Sequence, residues 1–345
     1  MNMATTTTSL PSPPLSSSSL LVPVCVGIDL GGSHITSILL TEKGDIIDST
    51  TTNITDRSTS NVLNIISNIT NDLISKNSTT CYCIGIGLGI PGNVDPTTST
   101  TRYLPNFGWY DTVDIGSHLK ATITTTNITN ITMRNDGRCH AIAEVKYGAG
   151  VNSKILAMVT LGTGIGGALV INGRLFDGST YDAGDFGHHV IHNGGSLAFD
   201  CVCGKKGCFE YHASADGLVR HYNKLNGSLN INNAHDFIIN LRQSPNDSLL
   251  IQAFNDYRND LSTGLANLVT FYNPDTIIIG GGLSQAPELF DGLIDLIDEK
   301  TLPATKGNVK ILPAKLANNA GAIGAALVAF QSYHDSINTS NTTSN

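Results

Sequence analysis

The sequence predicts an α/β fold built from two related halves, and three observations support this. Glycine-rich turns at 31–33 and 162–167 each separate two apolar runs of strand character, and each copy ends in a short polar turn. Such apolar runs alternate along the chain with segments whose apolar residues recur at helical spacing. The length of 345 residues is enough for two domains of ordinary size.

The individual elements follow from the apolar patterns in chain order. In the first half, strands are predicted at 24–30, 35–40, 46–47, 81–90 and 126–133, with helices at 58–76 and from 141. In the second half, strands are predicted at 155–161, 168–171, 275–279 and 309–312, with helices at 214–225, 247–272, 289–297 and 319–330. The unbroken apolar run at 81–90 is typical of a buried parallel strand.

The two glycine turns are candidate phosphate-binding loops. Glycine lets backbone N–H groups converge with no side chain in the way of a phosphate, and two such turns facing each other would clamp a nucleotide. Asp29 precedes the first turn and is a suitable carboxylate for a hydrated magnesium ion. For either turn alone, the alternative is a hairpin that only needs a positive φ. The candidate residues are Asp29, Gly31, Gly32, Ser33, Gly162, Thr163, Gly164 and Gly166.

Polar residues also follow the predicted strands, at the edge where open α/β sheets bind ligands. The loop at 91–95 follows the buried strand and contains Gly92. Asn106 is either a partner for a sugar hydroxyl or an ordinary residue of a Pro-Asn turn. Asp136 is either a helix N-cap or a general base held at a cleft. The residues alone leave both pairs of alternatives open.

Residues 188–210 contain a C-x-C-G-x-x-G-C pattern, which we call the knuckle. Three thiolates and one upstream histidine make a closed tetrahedral zinc site, which would be structural. The alternative is three reduced core cysteines, but a motif with glycines and lysines does not form an apolar strand pattern. The preferred ligands are His188, Cys201, Cys203 and Cys208, and His189 and His192 also fit the fourth position by spacing.

A zinc ion in the knuckle would order the loop around it. That loop carries Asp185, His188 and Glu210, three polar groups that would then face a substrate. The ordering follows because four protein ligands fix the backbone between them.

Composition and charge exclude several classes of protein. The formal net charge of −8, with no block of lysine or arginine, argues against a nucleic-acid surface. No apolar run reaches the about 18 residues of a membrane helix. Seven cysteines without a signal-peptide pattern argue against a disulfide scaffold and favour a cytoplasmic protein. The termini, 1–23 and 333–345, have low-complexity compositions and are predicted to be disordered.

Several motifs together resemble those of the ROK (repressor, open reading frame, kinase) family of sugar kinases. In chain order they are DLGGSHITSIL, PGNVD, PNFGW, ND before a helix, TLGTGIGGALVINGRL, GDFGHHV, CVCGKKGCFE and IIIGGGL. The resemblance spans about residues 24–332. It implies an actin/hexokinase-like fold, in which two ribonuclease-H-like domains enclose a cleft. It also implies ATP- and Mg²⁺-dependent phosphorylation of a hexose, often glucose.

The resemblance also implies a domain layout. An N-terminal α/β domain is expected at 24–137, and a larger C-terminal domain with the zinc-binding knuckle at 138–318. The helix at 319–332 is expected to return to the N-terminal domain. The family's usual dimers or tetramers give, by analogy, the expectation of a homodimer or homotetramer.

Family roles transfer to matching positions of this chain. Asp136 resembles the catalytic base, which accepts the proton of the attacking sugar hydroxyl. The phosphate loops match Asp29–Ser33 and Gly162–Gly167, and the adenosine-contact motif contains Gly281. The zinc-ligand positions match His188, Cys201, Cys203 and Cys208. The sugar-contacting positions match Asn106, Asn135, Asp136, His188 and Glu210, with Gly92 in the neighbouring loop.

Three stretches depart from the family pattern. Asp185 stands where family members usually have Glu, and its carboxylate should draw back by about one methylene, which affects sugar preference or affinity. Ser33–His34 and residues 137–140 also differ from the usual residues.

The main interpretation is a hexose kinase, with glucose as the expected sugar. The alternative within the same class is an N-acetylmannosamine or N-acetylglucosamine kinase. From another class, the alternatives are a non-catalytic sugar sensor and a sugar-responsive repressor. A repressor needs a helix-turn-helix domain, for which the segment before the first predicted strand is too short.

Overall fold

The computed structural model describes residues 21–104, 107–124, 128, 130–195, 199–316 and 319–342. The strands are β1 (Val22–Leu30), β2 (His34–Thr41), β3 (Ile46–Asn53), β4 (Cys81–Ile90), β5 (Asn93–Asp95), β6 (Thr100–Tyr103), β7 (Val113–Asp114), β8 (Ile131–Asn135), β9 (Ile155–Leu161), β10 (Ile165–Ile171), β11 (Arg174–Leu175), β12 (Thr276–Gly280) and β13 (Lys310–Pro313). The helices are α1 (Thr59–Asn77), α2 (Ile115–Thr122), α3 (Asp136–Tyr147), α4 (Phe209–Ala213), α5 (Ala215–Lys224), α6 (Ala234–Gln243), α7 (Ser248–Tyr272), α8 (Leu293–Asp298) and α9 (Ala320–Thr342). This architecture confirms the predicted α/β class.

Two five-stranded sheets share one strand order. The first sheet runs β3-β2-β1-β4-β8 and the second β11-β10-β9-β12-β13. In each sheet the first three strands in sequence pair antiparallel. The fourth strand pairs in parallel with the first, and the fifth pairs in parallel with the fourth. Each glycine turn therefore joins the first two strands of its own sheet. The matching topology is what two related halves predict.

The helices bury both faces of these sheets. On the second sheet, α5, α6 and α7 cover one face and form the largest apolar cluster of the described residues. The other face packs against Ala141 and Ile142 of α3. The first sheet is covered by α1 and α2 on one side and by α9 on the other. The last helix of the chain therefore packs on the sheet formed by the beginning of the chain.

Glycines in β1 and β4 let α9 lie directly on the first sheet. A Cβ atom at Gly27 would lie 1.9 Å from the backbone oxygen of Ala322. A Cβ atom at Gly87 would lie 1.8 Å from the backbone oxygen of Ala325. Since no side chain fits at these distances, the contact is one of backbone against backbone and requires glycine at both positions.

The last helix is longer than the sequence predicted. Residues 333–342 were predicted to be disordered, but they continue α9. Two ion pairs hold this extension: Arg174 to Asp335 at 3.0 Å, and His334 to Glu42 at 2.9 Å. These partners are far apart in sequence, so the polar composition of the tail did not reveal them.

Other boundaries also differ from the prediction. The first strand begins at Val22, so residues 22–23 belong to the sheet and not to a disordered tail. The small sheet β5-β6-β7 and the helix α6 were not predicted, because each is short or polar on one side. The predicted tail residues 1–20 and 343–345 lie outside the described residues. Among the helices that the structure describes, none is long and apolar enough to cross a lipid bilayer.

Candidate active site

The carboxyl ends of β1, β4 and β8 meet at one edge of the first sheet and bring Asp29 and Asp136 together. The parallel register places Asp29 beside Gly89, and Gly89 beside Arg134, two residues before Asp136. A Cβ atom on Gly89 would lie 3.5 Å from Asp29 Oδ1 and 3.6 Å from the Cα of Asp136. Glycine at this position therefore leaves open the space that both acidic residues border.

Asp136 is the first residue of α3, and its neighbour Asn135 is the N-cap. The Asn135 side-chain oxygen accepts a hydrogen bond from the Gly137 N–H at 3.0 Å. The Asn135 amide nitrogen donates to the backbone oxygen of Gly92 at 3.1 Å. The N-cap of α3 is therefore Asn135, and the N-cap alternative for Asp136 was wrong. The hydrogen bond from Asn135 to Gly92 also joins two of the predicted sugar-binding residues at the sheet edge.

The surroundings of Asp136 make its carboxylate a stronger base than a free one. Burial raises the pKa of Asp136, a hydrogen bond from Gly137 opposes this, and the negative charge of Asp29 raises it again. Burial by itself lowers the pKa of His140. The Asp29 carboxylate, 3.9 Å from His140 Nε2, has the larger effect, and the pKa of His140 is raised. A base with a raised pKa is better suited to accept a proton near neutral pH.

The second glycine turn, between β9 and β10, borders a cavity of ≈ 470 Å³. The end of β12 closes one side: Gly281 has a φ of +84°, and a Cβ atom there would lie 2.2 Å from the backbone oxygen of Leu161. Most of the lining is apolar, which suits a flat aromatic ligand. The lining includes Leu161, Thr163, Ile238, Leu283 and Ala286.

A smaller cavity links this pocket to the acidic residues. It has a volume of ≈ 210 Å³ and is lined by His140, Gly281 and Gln285, among others. Gln285 also lines the larger cavity, and His140 pairs with Asp29. The space beside the second glycine turn therefore approaches the edge of the first sheet.

Glu210 fixes the knuckle to the second glycine turn. Its Oε2 accepts a hydrogen bond from the Ile165 N–H at 2.9 Å. A Cβ atom on Gly164 would lie 2.4 Å from the same oxygen, so a larger residue here would displace the Glu210 carboxylate. The backbone oxygen of Gly162 accepts a hydrogen bond from the Ala215 N–H at 2.8 Å. The turn is thus held by the Glu210 side chain from α4 and by the backbone N–H of Ala215 at the start of α5.

Buried Arg138 holds the segment that leads to Asp185 against α3. Its guanidinium donates to the backbone oxygens of Tyr181 and, at 3.0 Å, Ala183. Arg134 supports the same contact through Asp177 at 3.3 Å. Partial desolvation raises the pKa of Asp185, although its side chain is accessible to solvent, and the positive charge of Arg138 opposes the rise.

The knuckle residues converge as a metal site requires. The ligand atoms of His188, Cys201, Cys203 and Cys208 all lie within 4.8 Å of one another. The Sγ atoms of Cys203 and Cys208 are 3.5 Å apart, too far for a disulfide and close to the roughly 3.8 Å separation of thiolates around tetrahedral zinc. The donor set of three thiolates and one imidazole fits zinc. His189 and His192, which also fitted by spacing, are not part of this group.

We expect Cys203→Ser to lower the zinc content by one ion per chain. A serine hydroxyl is a poor zinc ligand, and Cys203 is exposed, so the change leaves no cavity. The loop that carries Asp185 should then become more susceptible to proteolysis, and the KM for sugar should rise more than the KM for ATP. Metal analysis and limited proteolysis measure both effects. Cys83→Ser is the matched control, and equal zinc content in the two variants would contradict the knuckle as a zinc site.

The described residues bring the predicted site residues together in two groups. One group lies at the edge of the first sheet: Asp29, Gly92, Asn135 and Asp136. The other surrounds the second glycine turn: Gly162, Thr163, Gly164, Asp185, His188, Glu210 and Gly281. Gly31, Gly32 and Ser33 form the first turn, between β1 and β2. Asn106 lies outside the described residues.

Sequence reasoning missed Arg138 and His140 as parts of the site. Arg138 joins the two groups, and His140 faces Asp29. Their signal was present: residues 137–140 depart from the family pattern near the start of a helix that begins at a sheet edge. The sequence did not indicate that Arg138 contacts Ala183 or that His140 contacts Asp29.

Comparison with known proteins identifies a family and several relatives that cover most of the chain. The model of the ROK family matches residues 25–332. A glucokinase from Halalkalibacterium halodurans is 31% identical over 313 residues, covering 87% of this chain and 92% of that protein. The xylose repressor of Bacillus subtilis is 26% identical over 314 residues, covering 90% of this chain and 78% of that protein.

Solved structures have the same fold. The ROK hexokinase from Thermus thermophilus superposes with a TM-score of 0.77 at 24% identity, covering 90% of this chain and 99% of that one. A ROK family glucokinase from Streptomyces griseus, solved with glucose and AMPPNP, superposes with a TM-score of 0.67 at 25% identity, covering 89% and 99%.

Proposed function

Because the chain belongs to the ROK family, we propose that it transfers the γ-phosphoryl group of ATP to a hexose hydroxyl, with glucose as the expected sugar. The observation that carries this proposal is the partly buried carboxyl of Asp136, which lies at a sheet edge beside Asp29 and close to the smaller cavity lined by Gly281. Phosphoryl transfer requires little covalent chemistry from the protein. It requires a base, a bound nucleotide and an oriented acceptor.

Asp136 would act as the general base. A sugar hydroxyl is a poor nucleophile, and a carboxylate that accepts its proton as the bond to phosphorus forms lowers the barrier. The raised pKa of Asp136 strengthens this base. The backbone bond from Gly137 to Asp136 Oδ1, at 2.8 Å, leaves the second carboxylate oxygen for the hydroxyl.

The nucleotide would lie along the second glycine turn. The apolar cavity of ≈ 470 Å³ between Thr163 and Leu283 suits an adenine ring. From there the phosphates would reach Asp29 past His140 and Gln285. Magnesium bound with ATP would neutralise charge on the phosphates, and Asp29 is the residue that would hold it.

The sugar would be held by polar groups from both sheets. On the side of the first sheet, Asn135 and the Gly92 backbone would contact the sugar. On the side of the second sheet, the sugar contacts would come from Asp185, His188 and Glu210. Arg138 fixes the distance between these groups because it is buried and bonds to backbone on the opposite side. Such positioning accounts for much of the rate enhancement in this class of reaction.

The test is a coupled assay of ADP release with magnesium and ATP. The panel contains glucose, fructose, mannose, N-acetylglucosamine and N-acetylmannosamine. The proposal predicts turnover on glucose, well above the rate without sugar. Turnover on an N-acetylated sugar alone would favour the alternative of an N-acetylmannosamine or N-acetylglucosamine kinase. Sugar binding by calorimetry with no turnover on any member of the panel would identify a sensor and refute the kinase proposal.

We expect Asp185→Glu to lower the KM for the sugar by about tenfold, the equivalent of one hydrogen bond. The added methylene lets the carboxylate reach further towards the sugar, while Asp136 and the nucleotide cavity stay unchanged, so kcat should change little. Steady-state kinetics measure the two constants separately. Asp72→Glu, on an exposed side chain of α1 outside the candidate site, is the matched control. An unchanged KM would mean that Asp185 does not contact the sugar.

A further inference from the structure

A second group of ligating side chains lies beside the knuckle and shares none of its four ligand residues. The potential ligand atoms of His192, His212 and Asp260 all lie within 4.8 Å of one another. His192 comes from the knuckle loop, His212 from α4 and Asp260 from the middle of α7. His192 was considered for the knuckle by its spacing, but its Nε2 contacts Asp260 Oδ1 at 2.9 Å. The fold therefore directs this histidine to a different centre.

The centre of the group is a buried carboxylate. Asp260 is 5% exposed, and its Oδ2 lies 3.3 Å from His212 Nδ1 and 3.4 Å from His221 Nε2. Among the described residues no arginine or lysine pairs with it. A buried carboxylate needs a compensating positive charge. Here that charge comes either from a protonated imidazole or from a cation bound between the side chains.

The innermost histidine has an unused nitrogen. His212 is 3% exposed, and its Nε2 has no hydrogen-bond partner within the part of the chain that the structure describes. The rings of His192 and His212 lie with their centroids 4.4 Å apart. A ring proton on Nε2 would leave the lone pair of Nδ1 facing the Asp260 carboxylate at 3.3 Å, an arrangement that a cation between the two atoms stabilises.

We infer that His192, His212 and Asp260 form a second divalent metal site, with zinc or a similar first-row metal as the ion. Imidazole and carboxylate donors select such metals over magnesium and calcium, which prefer all-oxygen sites. Ligands around tetrahedral zinc lie roughly 3.4 Å apart, given metal–ligand distances of about 2.1 Å. The contacts of Asp260 with His192 and His212, at 2.9 and 3.3 Å, are of this size.

His221 acts as an outer partner of this site. Its Nε2 lies 3.2 Å from the backbone oxygen of His212 and 3.4 Å from Asp260 Oδ2. An N–H at this position donates to both oxygens and so orients the metal-binding carboxylate. Hydrogen bonds of this kind are the usual second layer around a protein metal site.

The ion has a route to the site from solvent. Three of the four residues, His192, His221 and Asp260, line a cavity of ≈ 370 Å³. The same cavity carries one positive side chain, Lys224, and one further acidic side chain, Asp256. With three protein ligands, the fourth position is left to water on the cavity side.

A metal at this site would fasten the knuckle loop to α7. His192 lies four residues after His188, and His212 two residues after Glu210, so both arms of the loop would be fixed to one long helix. The knuckle orders the loop internally, whereas the second site ties it to the core of the second half. The inference stands on this geometry and does not depend on the kinase proposal.

The experiment counts zinc per chain after equilibration with excess zinc and competition with a chelator. His192→Gln removes the most exposed ligand, and Asp260→Asn removes the central one. His235→Gln is the matched control, because His235 is an exposed histidine outside this group, and its Nδ1 lies 4.0 Å from Asp236 Oδ1. The inference predicts one zinc fewer per chain in His192→Gln and Asp260→Asn than in the wild type and in His235→Gln.

Cobalt(II) substitution separates the two sites in the same variants. A thiolate site gives intense sulfur-to-cobalt charge-transfer absorption, and a site of nitrogen and oxygen donors does not. His192→Gln should lose cobalt without loss of that absorption. Equal metal content in the wild type, His192→Gln and His235→Gln would overturn the inference and leave a hydrogen-bonded histidine–aspartate group without a metal. If Asp260→Asn does not fold, His192→Gln decides alone, since its side chain is partly exposed.

Discussion

Replacing Asp136 with asparagine is expected to lower kcat by about 10²–10⁴-fold, the usual contribution of a general base. Asparagine has the same shape but accepts no proton, so the sugar hydroxyl would have to lose its proton to water. The Gly137 N–H can still donate to the asparagine oxygen, and Asn135 still caps α3, so the fold should be unchanged. The KM values for sugar and ATP should change little, which steady-state kinetics of the purified variant would measure.

The pH dependence gives an independent check on the same residue. The base must be ionised to work, so kcat/KM should rise with pH through the pKa of Asp136. Burial places that pKa above the ordinary carboxyl value of 3.8. The acidic limb of the pH profile, where kcat/KM rises, should therefore lie at higher pH than a free aspartate would give. Asp136→Asn should lose this limb. Glu299→Gln, an exposed change, is the control and should keep it. Full activity in Asp136→Asn would show that another group accepts the proton.

Replacing Gly87 with alanine is expected to destabilise the fold by about 3 kcal/mol, at the upper end of the overpacking range. The added Cβ atom would lie 1.8 Å from the backbone oxygen of Ala325, and backbone on both sides cannot move aside as a flexible side chain does. The helix α9 would have to lift from the first sheet and expose the apolar cluster that includes Ala322, Ala326 and Phe330. Equilibrium denaturant unfolding measures the loss.

Gly282→Ala is the matched control for this effect on stability. A Cβ atom there would meet nothing within 4 Å, and Gly282 has no positive φ. Its free energy of unfolding should stay within about 0.5 kcal/mol of the wild type, as for most substitutions away from close contacts. Equal stability of the two variants would mean that α9 does not pack against the backbone of the first sheet.

Local patterns were enough to predict most strands of the two large sheets, the longest helices and several of the candidate site residues. The glycine turns are visible because they interrupt apolar runs at the point where a strand ends. Asp136 is visible because it stands between an apolar run and a helical pattern. Such features depend on neighbours within about ten residues, and the physical rules for strands and turns apply at that range.

Contacts between distant parts of the chain were not predictable in the same way. Arg138 reaches Ala183, 45 positions later, and Asp260 meets His192 across 68 positions. Nothing local to these residues indicates their partners. The extension of α9 to Thr342 was missed for the same reason, since Arg174 lies 161 positions before Asp335. In each case the sequence showed a charged side chain, and only the fold identified what it pairs with.

The central claim is that one cleft transfers phosphate from ATP to a sugar. The most direct measurement is ³¹P NMR of wild-type protein with magnesium, ATP and the best sugar of the panel. We expect a sugar phosphate and ADP in equal amounts, little free phosphate when sugar is left out, and no sugar phosphate with Asp136→Asn. Free phosphate as the main product, or sugar binding without any phosphorylated sugar, would contradict it.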